Sequence, residues 1–352
     1  LYNGKAGLID LDLNQQQKVL NSYGYPMGLA DYSAFILGGL PKQGQTLEEV
    51  KDLLLNEIKK LRAGEFDEKM LQANINNFKL YELQSMESNE GRADIFVNSF
   101  INGTNWKDEV TAIDRMAKLT KEDIVAFADK YLKEDNYAVV YKKQGKDPNE
   151  KKMTKPEITP IVSNRDVASP FLTSIQENAV RPIEPVFLDF KKDMSQLTAK
   201  SDIPVLYKQN TTNDLFQLIY VFDMGNNNDK ALGTAFDYLE YLGTSDMTPE
   251  ELKSEFYRLA CTFYVSPGNE RTYVVLSGLN ENMPAAMQLF EKLLADAQVN
   301  KEAYNNLVGD ILKARADAKL NQGQNFSRLM NYAMYGPKSP ATNLLTEAEL
   351  AS

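Results

Sequence analysis

The sequence predicts an α+β protein of two related domains, each a mainly antiparallel β-sheet with helices packed on one face. A long proline-rich linker joins them. Three observations carry this reading. Strand patterns stand beside runs of helical patterns instead of alternating with them one for one, which indicates α+β layers. Residues 145–204 hold seven of the fourteen prolines. The order of elements before that stretch returns after it. A length of 352 residues accommodates two or three domains, each with a proper core. The domains are expected at 1–144 and 204–352, truncated at the N- and C-terminus respectively, with the linker at 145–203.

Before the linker, the apolar run at 31–37 reads as a strand. Leu47, Val50, Leu54, Ile58 and Leu61 follow at spacings of three and four, the signature of one buried helix face. Gly64 is the expected stop, because glycine adopts the left-handed conformation that closes a helix. Further helices are expected at 67–86, 91–101 and 107–118. Thr120 caps another, with Asp123 at the third helical position. Tyr137-Ala138-Val139-Val140-Tyr141 reads as a closing strand.

In the linker, Pro148, Pro156, Pro160, Pro170, Pro182, Pro185 and Pro204 fix φ and remove N–H donors, so neither a long helix nor a central strand is expected. Ile158, Ile161, Phe171, Phe187 and Phe190 read as apolar anchors that lay the linker along a protein surface. About sixty residues is long for a plain loop, which favours a role in joining two lobes.

After it, strands are expected at 205–208 and 215–224, then a turn at Gly225-Asn226-Asn227-Asn228 and a helix running through Leu242. Thr248-Pro249-Glu250-Glu251 opens the next helix, with the cap at Thr248 and proline at the first helical position. Strands at 261–265 and 271–277 precede three helices that start near Met283, Lys301 and Asn325. Ile36-Leu37-Gly38-Gly39-Leu40 parallels Val275-Leu276-Ser277-Gly278-Leu279. At nearly the same offset, Asn98-Ser99-Phe100-Ile101-Asn102-Gly103 parallels Asn331-Tyr332-Ala333-Met334-Tyr335-Gly336.

The chemistry is bounded by what is scarce. The chain contains no histidine and one cysteine, Cys261. Imidazole and thiolate are the usual protein ligands of zinc, and imidazole is the side chain suited to proton transfer near neutrality. A His-based triad, a thiolate–imidazole pair and an ordinary zinc site are therefore excluded from this chain. A net charge of −10 disfavours binding to nucleic acid phosphates, and no apolar run approaches the ~20 residues of a membrane span. One cysteine excludes an intrachain disulfide. Leu1 is not a methionine, and Ser352 follows an acidic helical stretch, so the chain reads as a piece of something longer.

At 235–244 the residues are Ala235-Phe236-Asp237-Tyr238-Leu239-Glu240-Tyr241-Leu242-Gly243-Thr244. A helix ending in Gly-Thr, placed after a strand and turn, resembles that of the insulinase/pitrilysin-type zinc peptidases, the inverzincins, whose motif is H-x-x-E-H. Glu240 is kept; Asp237 and Tyr241 replace the histidines, and Gly-Thr comes two positions early. Other phrases resemble the same family in the same order: Gly64-Glu65-Phe66-Asp67, Met86-Glu87-Ser88-Asn89-Glu90-Gly91-Arg92-Ala93, Leu119-Thr120-Lys121-Glu122-Asp123-Ile124, Lys130-Tyr131-Leu132 and Asn213-Asp214-Leu215-Phe216. They look like the second and third domains of its long four-domain bacterial members, with 156–185 as the join.

The resemblance implies a clamshell of four similar domains around a peptide chamber. It places the zinc in the missing N-terminal domain and no cofactor in this chain. The family's further carboxylate ligand, carried by a later helix, falls at Asp317, with Asp310 earlier on the same helix. The counterpart of its substrate-steadying arginine–tyrosine pair falls at Tyr25 and Tyr32, where only the tyrosine matches. Tyr25 and Tyr32 are thus candidate chamber-lining residues, and neither is assigned catalysis.

The expected function is the non-catalytic central segment of a zinc metalloendopeptidase, binding extended peptide at a sheet edge and passing opening and closing through the join. Its partners would be peptide substrates and the remaining domains of the parent, with no nucleic acid and no membrane span. A soluble, periplasmic or otherwise exported bacterial location is implied. The alternatives are a catalytically dead scaffold subunit of a larger assembly, and a carboxylate-only hydrolase using Asp237 and Glu240. Oxygen-only ligands such as Asp237, Glu240 and Asp317 would suit Mg²⁺, Ca²⁺ or Mn²⁺, although acidic residues on helices are usually just solvated. Asn210-Thr211-Thr212 has the form of a glycosylation sequon, read here as a turn. Gly225-Asn226-Asn227-Asn228-Asp229 lacks the spaced acidic ligands of an EF-hand loop.

Overall fold

A computed structural model describes residues 1–29, 31–146, 151, 153–161, 163, 165–339 and 342–351. The chain divides into two compact units, one made of Leu1–Val139 with Asn210–Ser352, the other of Val140–Gln209.

The first unit opens with a short π-helix, Asp10–Gln15, that the sequence did not announce. It leads into a hairpin of β1 (Asn21–Gly28) and β2 (Ser33–Leu40). The sequence indicated only the second strand, because Gly24 and Pro26 in the first are strand-breaking residues. β1 is an edge strand, where a missing N–H donor is tolerated. Helix α1 (Leu47–Ala63) follows, with a capping box between Thr46 and Glu49 and a left-handed Gly64 at its end. Next come α2 (Lys69–Ser85) and α3 (Asn89–Asn102), the latter capped by Ser88 and closed by left-handed Gly103. The helix expected at 107–118 is two short ones, α4 (Trp106–Val110) and α5 (Ala112–Met116). Between them Thr111 leaves helical geometry, and its hydroxyl donates back to the Lys107 carbonyl at 2.7 Å. α6 (Lys121–Tyr131) begins at the Thr120–Asp123 capping box, as expected. The strand expected at 137–141 does not form. Among the described residues no strand lies beside it, and its side chains stay exposed, so the apolar run has no ladder to join.

The second unit contains α7 (Pro170–Gln176), capped by Ser169 with proline at its first position, and one short antiparallel pair, β3 (Ser195–Thr198) with β4 (Pro204–Tyr207). β3 is an edge strand of a two-stranded sheet, and it lies where 195–203 is free of proline, which leaves it its donors. The expected anchors Ile158, Ile161, Phe171, Phe187 and Phe190 are all exposed. Apolar identity alone did not bury them. Pro148 lies outside the described residues.

Back in the first unit, β5 (Leu215–Phe222) precedes α8 (Leu232–Leu239), which ends short of the expected Leu242 as the chain turns at Glu240-Tyr241. α9 (Pro249–Arg258) starts with a Thr248–Glu251 capping box and proline at its first position. β6 (Cys261–Pro267) and β7 (Thr272–Leu279) pair antiparallel, and β5 adds to the far side of β7, giving the order β5-β7-β6. α10 (Met283–Asp296), α11 (Lys301–Ala318), α12 (Gln322–Tyr335) and α13 (Glu347–Ala351) complete the chain.

The two flanks of this unit share element order and register. The offset in numbering between Ser33–Leu40 and Thr272–Leu279 is the same at both ends. Tyr25 faces Ile36, and Tyr264 faces Val275, again at that offset, so the hairpins have one register. α3 and α12 likewise keep one offset from end to end, and each closes at a glycine of positive φ, Gly103 and Gly336. The cores agree too. Leu13, Leu37, Val50 and Leu54 belong to one apolar cluster; Leu252, Leu276, Leu289 and Leu293 belong to the other at the offset of the hairpins. No helix among the described residues is long and apolar enough to cross a membrane.

Candidate functional site

The turn after α8 builds the candidate site. Asp237 lies on the helix, Glu240 caps its C-terminus, and Tyr241 follows. Glu240 and Tyr241 line a polar cavity of about 230 Å³ within the first unit, together with Lys5, Asp10, Gln17, Lys253 and Asp310. The backbone carbonyl of Glu240 accepts from Gln15 Nε2 at 3.0 Å, tying the turn to the π-helix. The Glu240 Oε2 lies 3.9 Å from Lys253 Nζ. Asp310, on α11, pairs with Lys42 at 3.4 Å.

Burial sets the protonation states. It pushes the Tyr241 phenol up, and the negative charges of Glu240, Asp310 and Asp237 push it the same way. Tyr241 is therefore a neutral donor at physiological pH, not a phenolate ligand. Burial also raises the Asp237 and Asp310 carboxyls, the latter opposed by Lys42. It lowers the ammonium of Lys253, against the pull of Glu240, Asp10 and Glu250, and that of Lys5. Asp10 is raised by burial, although the backbone N–H groups of Asn3 and Gly7 donate to its Oδ2 at 2.9 and 3.0 Å.

The structure brings only part of the sequence-derived set together. Glu240, Tyr241 and Asp310 share the cavity. Asp317 does not line it; it lies two turns further along α11, half-exposed, and pairs with Lys313 at 2.6 Å. Two helical turns separate the carboxylates, and Asp310 lines the cavity while the Asp317 selected by the family spacing does not. Tyr25 stands on β1, stacked on Tyr23 with ring centroids 6.3 Å apart, and Tyr32 is 83% exposed between the strands. Neither lines the cavity. Sequence reasoning missed Lys5, Asp10 and Lys253. They are distant along the chain, and no local pattern marks them.

This donor set does not fit catalytic zinc. Such a site needs about three protein ligands, mostly imidazole or thiolate, and an open fourth position. Here the motif positions supply a protonated phenol, a raised carboxyl and a glutamate facing a lysine. Among the described residues no three of Asp, Glu and Cys are grouped to hold a metal ion. Cys261 is buried against Leu259, and its thiol is pushed up to about 11 by burial, so it is no nucleophile near neutrality. The arrangement can donate hydrogen bonds and balance charge around a polar group.

No family model and no curated protein matches the chain. Among solved structures it is similar to the periplasmic protease PqqL from Escherichia coli, with 14% identity and a TM-score of 0.40 over 98% of this chain and 41% of that one. It is similar to a peptidase M16 inactive domain from Pseudomonas fluorescens, with 17% identity and a TM-score of 0.39 over 45% of this chain and 42% of that one. A third is the ferredoxin protease FusC in complex with Arabidopsis ferredoxin, with 11% identity and a TM-score of 0.41 over 99% and 42%. The chain spans about two fifths of the length of these proteins. Membership of the insulinase-type family is a proposal that rests on the chain's own residues.

Proposed function

We propose that this chain is the non-catalytic central part of an insulinase/pitrilysin-type zinc metalloendopeptidase, two related domains that wall a peptide chamber and hold extended peptide at a sheet edge. The observation that carries the reading is the degenerate motif in its structural setting. Asp237 stands on a helix that follows a strand, with Glu240 and Tyr241 in the turn at its end, a setting like that of the peptidase motif, yet Glu240 faces Lys253 and Tyr241 keeps its proton. The recurrence of one hairpin register, one helix order and one set of core positions supports two copies of a single domain type. Sheet edges accept strands through backbone hydrogen bonds, which suits substrates of varied sequence. The catalytic zinc would belong to another domain of the parent, and the segment 145–203 would transmit opening and closing between halves.

The test is a fluorogenic peptide incubated with the purified chain and added zinc. The peptide is expected to bind and remain intact. Zinc-dependent cleavage that disappears in Glu240→Gln would overturn the reading.

A further inference from the structure

We propose that the polar cavity beside the α8 turn binds a small free α-amino acid. Lys5, Lys253 and the Tyr2 and Tyr241 hydroxyls would receive its carboxylate, and Glu240 and Asp310 its ammonium. Such a site goes beyond the peptide-holding reading, and neither needs the other.

Both flanks of the first unit build the cavity. Tyr2 and Asn14 line it from one flank, Tyr241 and Lys253 from the other, each pair separated by the offset of the hairpins. Asp237 and Leu239 of α8, just before Glu240, are not among the lining residues. Two hydrogen bonds hold the flanks together beside it: Gln15 Nε2 to the Glu240 carbonyl at 3.0 Å, and Gln17 Nε2 to the Ala303 carbonyl at 3.2 Å. The cavity is thus formed by two equivalent turns facing each other.

Its donors are left over. Among the described residues, Lys5 Nζ, Lys253 Nζ and the hydroxyls of Tyr2 and Tyr241 have no hydrogen-bond partner. Lys253 has Glu240 Oε2 at 3.9 Å, an ion-pair distance beyond hydrogen-bond reach. Burial lowers both ammonium groups, and their neighbours do not offset it. Polar groups taken from water without a partner are costly, so four such donors on one cavity call for a ligand with acceptor oxygens. The carboxylates decide its other end. Asp10 is occupied by the backbone N–H groups of Asn3 and Gly7, while Glu240 and Asp310 each hold one lysine, at 3.9 and 3.4 Å. A plain anion such as phosphate would be repelled by these two carboxylates; a zwitterion satisfies donors and acceptors together. At about 230 Å³ the cavity lies below the range of sites for drug-sized molecules, roughly 300–1,000 Å³. Its lining is mainly polar, which favours a glycine- or serine-sized ligand over one with a large apolar side chain.

The experiment is calorimetric titration of the whole chain with glycine, serine, leucine, acetate, methylamine and inorganic phosphate. Glycine and serine are expected to bind saturably, one per chain. The other four should bind about tenfold more weakly or worse, each lacking one end or carrying a side chain the cavity does not fit. Lys253→Met and Tyr241→Phe should each weaken serine by about tenfold, and Asp317→Asn, outside the cavity, should leave it unchanged. Thermal melts check that the variants fold; should Lys253→Met fail to, Tyr241→Phe, which removes a single hydroxyl, and the ligand series decide. Acetate binding as well as serine would overturn the assignment in favour of a simple anion site. Serine binding unaffected by either variant would place it elsewhere and overturn it too. No heat from any probe would mean that the cavity holds water only. The fluorogenic peptide assay is independent of all these outcomes.

Discussion

The hairpins β1–β2 and β6–β7 share register but not burial. In β7, Thr272, Val274, Val275, Leu276 and Gly278 are buried; in β2 every residue is exposed or half-buried. The difference lies beside the strands, not within them. β7 has β5 along one edge and a cluster with Phe256, Leu289, Phe290 and Leu293 beneath, whereas among the described residues β2 has one partner strand and a smaller cluster. Equivalent residues thus sit in unequal cores, because a strand's stability comes from what covers its edge and face.

The largest expected effect separates two equivalent leucines. Leu276→Ala, fully buried, should lose about 2–5 kcal/mol in urea unfolding. Leu37→Ala, half-buried, should lose about 1–2 kcal/mol. Equal losses would mean that the two cores are closed alike. The glycines two positions along each strand sharpen the same contrast. Gly278 has φ +155°, and a Cβ there would stand 2.4 Å from the Ala260 carbonyl oxygen and 2.6 Å from Cys261 Sγ. Gly39 has ordinary φ and meets chiefly the Val50 side chain, which can shift. Gly278→Ala should cost about 3 kcal/mol or more and Gly39→Ala about 1–3 kcal/mol. Similar thermal shifts would break the distinction.

A smaller effect tests the first core through pH. Glu57 on α1 is 1% exposed; its Oε1 accepts from Lys60 at 3.0 Å, and its Oε2 is buried with no hydrogen-bond partner among the described residues. Lys60 also donates to Asp12 of the π-helix at 2.6 Å. Burial raises the Glu57 carboxyl, Lys60 opposes this, and the neighbouring Asp12 charge reinforces it. The folded chain therefore binds a proton that the unfolded chain has released. Stability from this group is present below the ordinary glutamate value and falls as pH rises toward the raised folded value. Glu57→Gln should flatten that decline in denaturation midpoints measured upward from the ordinary glutamate range. An unchanged slope would show that Glu57 is charged in the folded chain.

Much of the fold was legible because its signals are local. The spacing of Leu47, Val50, Leu54 and Leu61, the stop at Gly64, and the caps Thr120 and Thr248 all act within a turn or two of chain. What was misread depends on distant neighbours. The run 137–141 has strand composition but no described strand beside it, and β1 forms despite Gly24 and Pro26 because β2 supplies a partner. The site divides the same way. Asp237, Glu240 and Tyr241 are visible as one helix end, while Lys5, Asp10, Lys253 and Asp310 come from other places in the chain. No spacing rule could assemble them, and the one applied chose Asp317 over Asp310.

Among the described residues β7 has a neighbouring strand on each edge and β2 has one. Residue-resolved amide exchange of the unliganded chain tests it most directly, since a strand with two neighbours has all its amides paired and a strand with one has every second amide paired. The account predicts slow exchange throughout Thr272–Leu279 and alternating slow and fast exchange along Ser33–Leu40. Uniformly slow exchange along Ser33–Leu40, or alternation in Thr272–Leu279, would contradict it.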